Sequence, residues 1–262
     1  MPADRWADAD AYERYVGRWS RRVADAFVAW LGLPVDASWV DVGCGTGALS
    51  ATIAARTRPR RVIGIDPSPD FVAAAREQVA DPVASFAVGR ADALPLEAGE
   101  ADAVVSGLVL NFVPDVPAAL ADAIRATRPG GTVAAYVWDY SGRMELMRRF
   151  WDAAVALDPD ARELDEGVRF PLCAPDRLAA AWINAGLANV LVMAIDVPTR
   201  FADFDDFWEP FTVDIAPAPG YASRLPPERR DALRERLRAT LPTGPEGTID
   251  LIARAWAIRG QA

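Results

Sequence analysis

Trp39-Val40-Asp41-Val42-Gly43-Cys44-Gly45-Thr46-Gly47-Ala48 is the stretch that decides the fold. An apolar, strand-like run breaks into three alternating glycines, and a helix-like segment over 48–56 follows at once. Glycines at such a turn permit positive backbone angles and remove the β-carbons that would keep a ligand away from the main chain. The following helix also offers free amides at its N-terminus. Asp66 stands 19 residues after Gly47, at the end of the next strand-like run, 61–65. A carboxylate there accepts two hydrogen bonds from a ribose diol. Turn and spaced acid together point to a nucleotide-like cofactor on an α/β sheet. They leave its identity open. Gly43 to Ala48 also satisfies the dinucleotide pattern, so a nicotinamide-dependent oxidoreductase and a non-catalytic cofactor-binding module stand as alternatives.

Outward from the turn, the first half of the chain alternates strand-like and helix-like segments, the order of a parallel α/β sheet. A helix over 24–31 precedes the first strand, 39–42, and another over 71–79 follows Asp66-Pro67-Ser68. A short third strand, 84–89, and a continuously apolar fourth, 102–106, come next; an unbroken apolar run suits a strand covered on both faces. A helix over 116–127 stops at Arg128-Pro129-Gly130-Gly131, and a fifth strand, 132–138, follows. The second half is less regular: a helix over 175–185, a strand over 189–197 and a buried strand over 248–258. Two long connections, 140–171 and 199–245, are rich in aromatic residues. Connections of that length are usually lids or binding elements, and their alternative is helical packing around the sheet.

Composition narrows the chemistry. The 262 residues, 52% hydrophobic and 25% charged, suit one large or two small domains. The chain has no histidine, and all 28 basic residues are arginine. That excludes a Ser-His-Asp triad, imidazole metal ligands, a P-loop lysine and a Schiff-base lysine. Two cysteines, Cys44 and Cys173, make neither a four-thiolate zinc site nor a disulfide framework, so no metal is expected. A net charge of −9 argues against nucleic acid as a partner. No run approaches the roughly 20 apolar residues of a membrane span, and the charged N-terminus lacks a secretory apolar region. A cytoplasmic monomer or homodimer with a small-molecule partner is the expectation.

Two further segments favour one cofactor. Gly89-Arg90-Ala91-Asp92-Ala93-Leu94-Pro95 follows the third strand, where an Asp can accept from an adenine amino group. Asn111 lies in a loop-like stretch just beyond the fourth strand. In an open α/β sheet all these strand ends line one crevice.

With these stretches in view, Val40-Asp41-Val42-Gly43-Cys44-Gly45-Thr46-Gly47 resembles the first motif of class I S-adenosylmethionine-dependent methyltransferases. Gly64-Ile65-Asp66-Pro67-Ser68 is similar to their ribose motif, Ala91-Asp92-Ala93-Leu94-Pro95 to their adenine motif, and Arg128-Pro129-Gly130-Gly131 to the turn before their fifth strand. The resemblance is nearest to small-molecule enzymes of the ubiquinone/menaquinone-biosynthesis type. It implies a Rossmann-like, seven-stranded mixed sheet flanked by helices, its last strand antiparallel, in one domain over 1–262, with the insertions 140–171 and 199–245 as a helical cap. It implies S-adenosyl-L-methionine as cofactor and S-adenosyl-L-homocysteine as product. Gly43, Cys44 and Gly45 would present main chain to the methionine part. Asp66 would hold the ribose, Asp92 and Ala93 would frame the adenine, and Pro67 or Phe71 would cover its face. Ser106 and Gly107 would face the ammonium group. The segment 1–22 would fold over the cofactor, with Tyr15, Arg18, Trp19 and Ser20 as candidates for its carboxylate.

The methyl acceptor is less legible. Asn111, Trp138, Tyr140 and Met144 are candidate substrate contacts by location, with Trp208 and Phe211 from the second insertion. Asp139, directly after the fifth strand, is the candidate base if one is used. Its alternative is a plain loop residue.

Overall fold

The computed structural model describes residues 17–213 and 216–262. In chain order the elements are α1 (Arg18–Leu31), β1 (Ser38–Val42), α2 (Ala48–Thr57), β2 (Arg61–Asp66), α3 (Pro69–Gln78), β3 (Ala84–Val88), β4 (Ala101–Gly107), α4 (Val116–Ala126) and β5 (Thr127–Trp138). Then come α5 (Glu145–Leu157), α6 (Glu166–Arg169), α7 (Pro175–Asn184), β6 (Ala188–Phe201), α8 (Phe204–Trp208), α9 (Pro217–Arg224), α10 (Pro227–Thr240) and β7 (Ile249–Gln261). Short 3-10 turns occur at Leu110–Phe112, Pro159–Glu163 and Glu209–Thr212.

The strands form one seven-stranded sheet in the order β3-β2-β1-β4-β5-β7-β6. β1 to β5 pair in parallel, and β7 runs antiparallel to β5, from Thr132↔Gln261 to Trp138↔Ala255. This is the expected mixed sheet. Successive strands step outward from β1 to β3, and the chain then returns to lay β4 on the other side of β1. That reversal opens a crevice at the carboxyl ends of β1 and β4, where ligands of such sheets bind. β1 is buried at every position, as its apolar run requires. Ser68 caps α3 by accepting from the Phe71 amide at 3.3 Å, and Asp115 caps α4 by accepting from Ala118 at 2.9 Å.

Two boundaries differ from the sequence reading for a clear physical reason. α1 begins at Arg18 instead of residue 24, because Trp19 and Val23 extend its buried stripe. β5 begins at Thr127 instead of residue 132: Thr127 pairs with Ala101, and the register then shifts so that Thr132 pairs with Ala103. The Arg-Pro-Gly-Gly stretch thus ends α4 as expected but bulges within the strand, where a β-carbon on Gly131 would sit 2.8 Å from the Asp102 carbonyl. β7 buries one parity, Ile249 through Ala257, while Ile252, Arg254 and Trp256 on the other are half-buried.

The chain resolves into two compact units. The sheet unit holds 21–138, 172–195 and 255–262, with Phe27, Trp39, Ile53, Ile65 and Trp182 fully buried in its core. The Trp182 indole donates to the Val133 carbonyl at 3.0 Å. The helical unit gathers both long connections, 139–171 and 196–254, with the start of α1. Its core is aromatic. Phe150 stacks on Phe211 with ring centroids 4.5 Å apart, Phe207 meets Phe211 at 5.6 Å, and Trp151 meets Tyr221 at 5.7 Å.

Candidate functional site

The start of the glycine turn is tied to β2. Gly43 and Cys44 both donate their amides to the Ile65 carbonyl, at 2.7 and 3.1 Å. Gly43, Gly45 and Gly47 have φ of +74°, +52° and +89°, the left-handed region that a side chain disfavours. A β-carbon on Gly43 would overlap the Val109 side chain, so the turn after β4 lies directly against the glycine turn. A β-carbon on Gly45 would meet nothing within 4 Å. The main chain there faces open space.

Asp66 is buried and joins two turns: one carboxylate oxygen accepts from the Gly45 amide at 3.0 Å, the other from the Ser68 amide at 2.9 Å. Each oxygen has a second lone-pair site, so the group retains capacity for further donors. The Asp66 carbonyl accepts from Gly89, which brings the segment after β3 to the same place. There Arg90 holds Asp92 through two bonds of 2.8 and 2.6 Å, and this pairing keeps the Asp92 carboxyl below its ordinary range. Ala93 closes that turn by donating to the Arg90 carbonyl at 3.2 Å. Pro67 is exposed, and Phe71 is half-buried on α3. Ser106 is buried at the end of β4, and a β-carbon on Gly107 would lie 2.5 Å from the Tyr136 hydroxyl. The sheet unit therefore brings together the turn, the two acids and the β4 end that the sequence singled out. Burial pushes the Cys44 thiol up, so it stays protonated and serves as a small filler.

Asp41 was missed as anything but a motif letter. It is buried beneath the turn; one oxygen accepts from the Ser50 hydroxyl at 2.7 Å and the other has no partner among the described residues. Desolvation, reinforced by Asp66 and opposed by Ser50, pushes its carboxyl up to about 7. An acid in an otherwise apolar strand was the available signal. Asn111 carries a related feature: among the described residues, neither polar atom of its buried carboxamide has a hydrogen-bond partner.

The remaining candidates fall in or beside the helical unit. Tyr15 lies outside the described residues, as does the side chain of Arg18. Trp19 is buried edge-on against Phe201 at 5.2 Å, and the Ser20 hydroxyl donates to the Gly17 carbonyl. Trp138 is buried at the end of β5. Tyr140 packs near Phe170, and fully buried Met144 bridges to Ala253. Trp208 and Phe211 belong to the aromatic core, 6.0 Å apart. Asp139 accepts from the Arg143 amide at 2.9 Å, and its carbonyl accepts from Gly142 and Met144. It shapes the turn into α5. No sequence signal marked Glu166, which is buried and accepts from the Trp151 indole. Desolvation pushes its carboxyl up to about 7.

Among the described residues no helix is long and apolar enough to cross a membrane. Residues 40–135 match the family described as a methyltransferase domain. The chain is 29% identical over 216 residues to the demethylmenaquinone methyltransferase of Roseiflexus castenholzii, a match covering 69% of this chain and 88% of that protein. It is 31% identical over 191 residues to the 2-methyl-6-phytyl-1,4-hydroquinone methyltransferase of a Synechocystis species, covering 70% and 58%. Of several other curated relatives it spans between 28% and 53%. The YcgJ protein of Bacillus subtilis superposes with a TM-score of 0.61 at 15% identity, over 92% of this chain and 97% of that one, a likeness of fold. Over residues 40–135 the chain thus matches a methyltransferase domain, and its strand order is that of the mixed seven-stranded sheet the sequence motifs implied.

Proposed function

We propose that the chain is an S-adenosylmethionine-dependent methyltransferase that acts on a small apolar or aromatic metabolite, mainly by positioning. The observation that carries this reading is the Gly45–Asp66 hydrogen bond. It fixes a buried carboxylate with spare lone pairs beside main chain that faces open space. Those features fit an adenosyl group with a ribose diol, and Asp92 with Ala93 fits an adenine edge. Pro67, Phe71, Ser106 and Gly107 complete the cofactor set, with Tyr15, Arg18, Trp19 and Ser20 assigned to the methionine end.

When bound, S-adenosylmethionine supplies an electrophilic methyl group on a sulfonium. This chain's residues hold the partners in line and keep water out, and positioning of that kind is worth about 7–11 kcal/mol of barrier. With no imidazole in the chain, the acceptor's proton passes to solvent once the methyl group has been transferred. Asn111, Trp138 and Tyr140 are the nearest acceptor contacts along the chain.

We assign the insertions 140–171 and 199–245 to enclosing the acceptor. The chain path supports this: the first leaves β5 at its carboxyl end, and the second returns into β7, whose start lies beside that same end. The demethylmenaquinone and 2-methyl-6-phytyl-1,4-hydroquinone for which the two relatives are named support a ring-containing acceptor. Two free, buried cysteines suit the cytoplasm. Incubating the protein with labelled S-adenosylmethionine and a metabolite extract should transfer label to a small molecule. Tight cofactor binding with no transfer to any extract would leave only a binding module.

A further inference from the structure

We propose that Asn111 is the specificity-determining contact for the acceptor, and that it selects an uncharged group presenting a hydrogen-bond donor beside an acceptor. This rests on the methyltransferase reading above and names the chemistry its second substrate must carry. Asn111 sits in the 3-10 turn Leu110–Phe112 that follows β4. Its carboxamide oxygen and nitrogen are both buried, and neither has a partner among the described residues. A buried amide left in this state is costly, and buried polar groups of native proteins nearly always pair with protein, solvent or ligand.

The local backbone points the same way. Leu108 has φ of +61°, a left-handed conformation that a γ-branched residue adopts only when its surroundings hold it there. Its amide donates to the Tyr136 carbonyl at 2.8 Å, which fixes the chain at the end of β5. The next residue, Val109, presses its methyls against Gly43. Strain, a strand anchor and a contact with the glycine turn therefore combine to set the position of Asn111, two residues on, at the switch-point crevice.

A carboxamide offers one acceptor and two donors and carries no charge. It pairs with a group that returns both: an amide, a hydroxyl next to a carbonyl, or two neighbouring hydroxyls. A carboxylate offers acceptors only, so the Asn111 oxygen would face it unpaired.

Two probes of nearly equal shape separate these cases, 2-naphthamide and 2-naphthoate. Each is titrated into the protein saturated with S-adenosylhomocysteine. The naphthamide should bind at least about tenfold more tightly, the discrimination expected when one buried hydrogen bond is lost. In Asn111→Leu that preference should collapse, while affinity for S-adenosylhomocysteine stays at the wild-type level. The unliganded variant should melt at or above the wild-type temperature, because the unpaired amide has gone; a structural asparagine would give a fall. A lower melting temperature, a preference that persists in Asn111→Leu, or naphthamide binding no tighter than naphthoate, including no measurable binding of either, overturns the assignment. Failure of the wild type to bind S-adenosylhomocysteine would count against the methyltransferase reading instead.

Discussion

Asp66 joins two turns through one carboxylate, and the proposed function gives that carboxylate the ribose as well, so its replacement tests both. Asp66→Ala removes the proposed acceptor for the ribose and the tie to the Gly45 and Ser68 amides. A buried hydrogen bond of this kind is worth about 1–3 kcal/mol, so affinity for S-adenosylmethionine should fall roughly ten- to hundredfold. Calorimetry reads it; unchanged affinity would remove Asp66 from the site. Asp139 gives the opposite expectation. Its carboxylate accepts from the Arg143 amide, and an asparagine oxygen can accept the same bond. Asp139→Asn should retain turnover within about threefold, against the 10²–10⁴ that loss of a general base typically costs. Asp66 was legible because its spacing from the glycines is set by one helix and one strand. Glu166 was not, because its burial depends on the Trp151 indole, which only the tertiary structure supplies.

Among the elements, the glycine turn makes two demands that separate variants can weigh. Gly43 and Gly130 have nearly the same φ, +74° and +73°, but a β-carbon on Gly43 overlaps Val109 while one on Gly130 meets nothing within 4 Å. Gly130→Ala should cost about 1–2 kcal/mol, the left-handed penalty alone. Gly43→Ala should cost more, by roughly the 1–3 kcal/mol of an overpacked contact, and should also weaken cofactor binding. Urea melts of the two variants check this, and equal losses would mean that Val109 moves aside freely. Strand and helix order in the first half was readable because each run carries its own period and stop signal. The start of β5 was not readable. Arg128-Pro129-Gly130-Gly131 reads locally as a terminator, and only pairing with Ala101 draws Thr127 into the sheet.

For the molecule as a whole, the two buried acids set a pH dependence. Asp41 and Glu166 are both pushed up to about 7 when folded, from 3.8 and 4.5. Each binds its proton more tightly in the folded state, so its contribution is full below the unfolded value. That contribution is lost as pH rises toward 7 and is level beyond it. Stability to urea should therefore decline between about pH 4.5 and 7 by a few kcal/mol. In Glu166→Gln the decline should be smaller, with the variant gaining on the wild type most at pH 8. A flat wild-type profile would show that water reaches both carboxyls. The division into two units was only partly legible: the two long connections stood out by their aromatic content, but the rings within them gave no sign whether they would meet a ligand or each other. Sheet order carries a further consequence, for biosynthesis. β7 lies between β5 and β6 yet leaves the ribosome after both, and its Ala255 pairs with Trp138 across more than a hundred residues. During synthesis β5 and β6 each wait with a bare edge, the state in which strands pair with the wrong neighbour. Nascent chains halted before residue 249 should therefore be the ones that recruit chaperones, and those carried past it should be released.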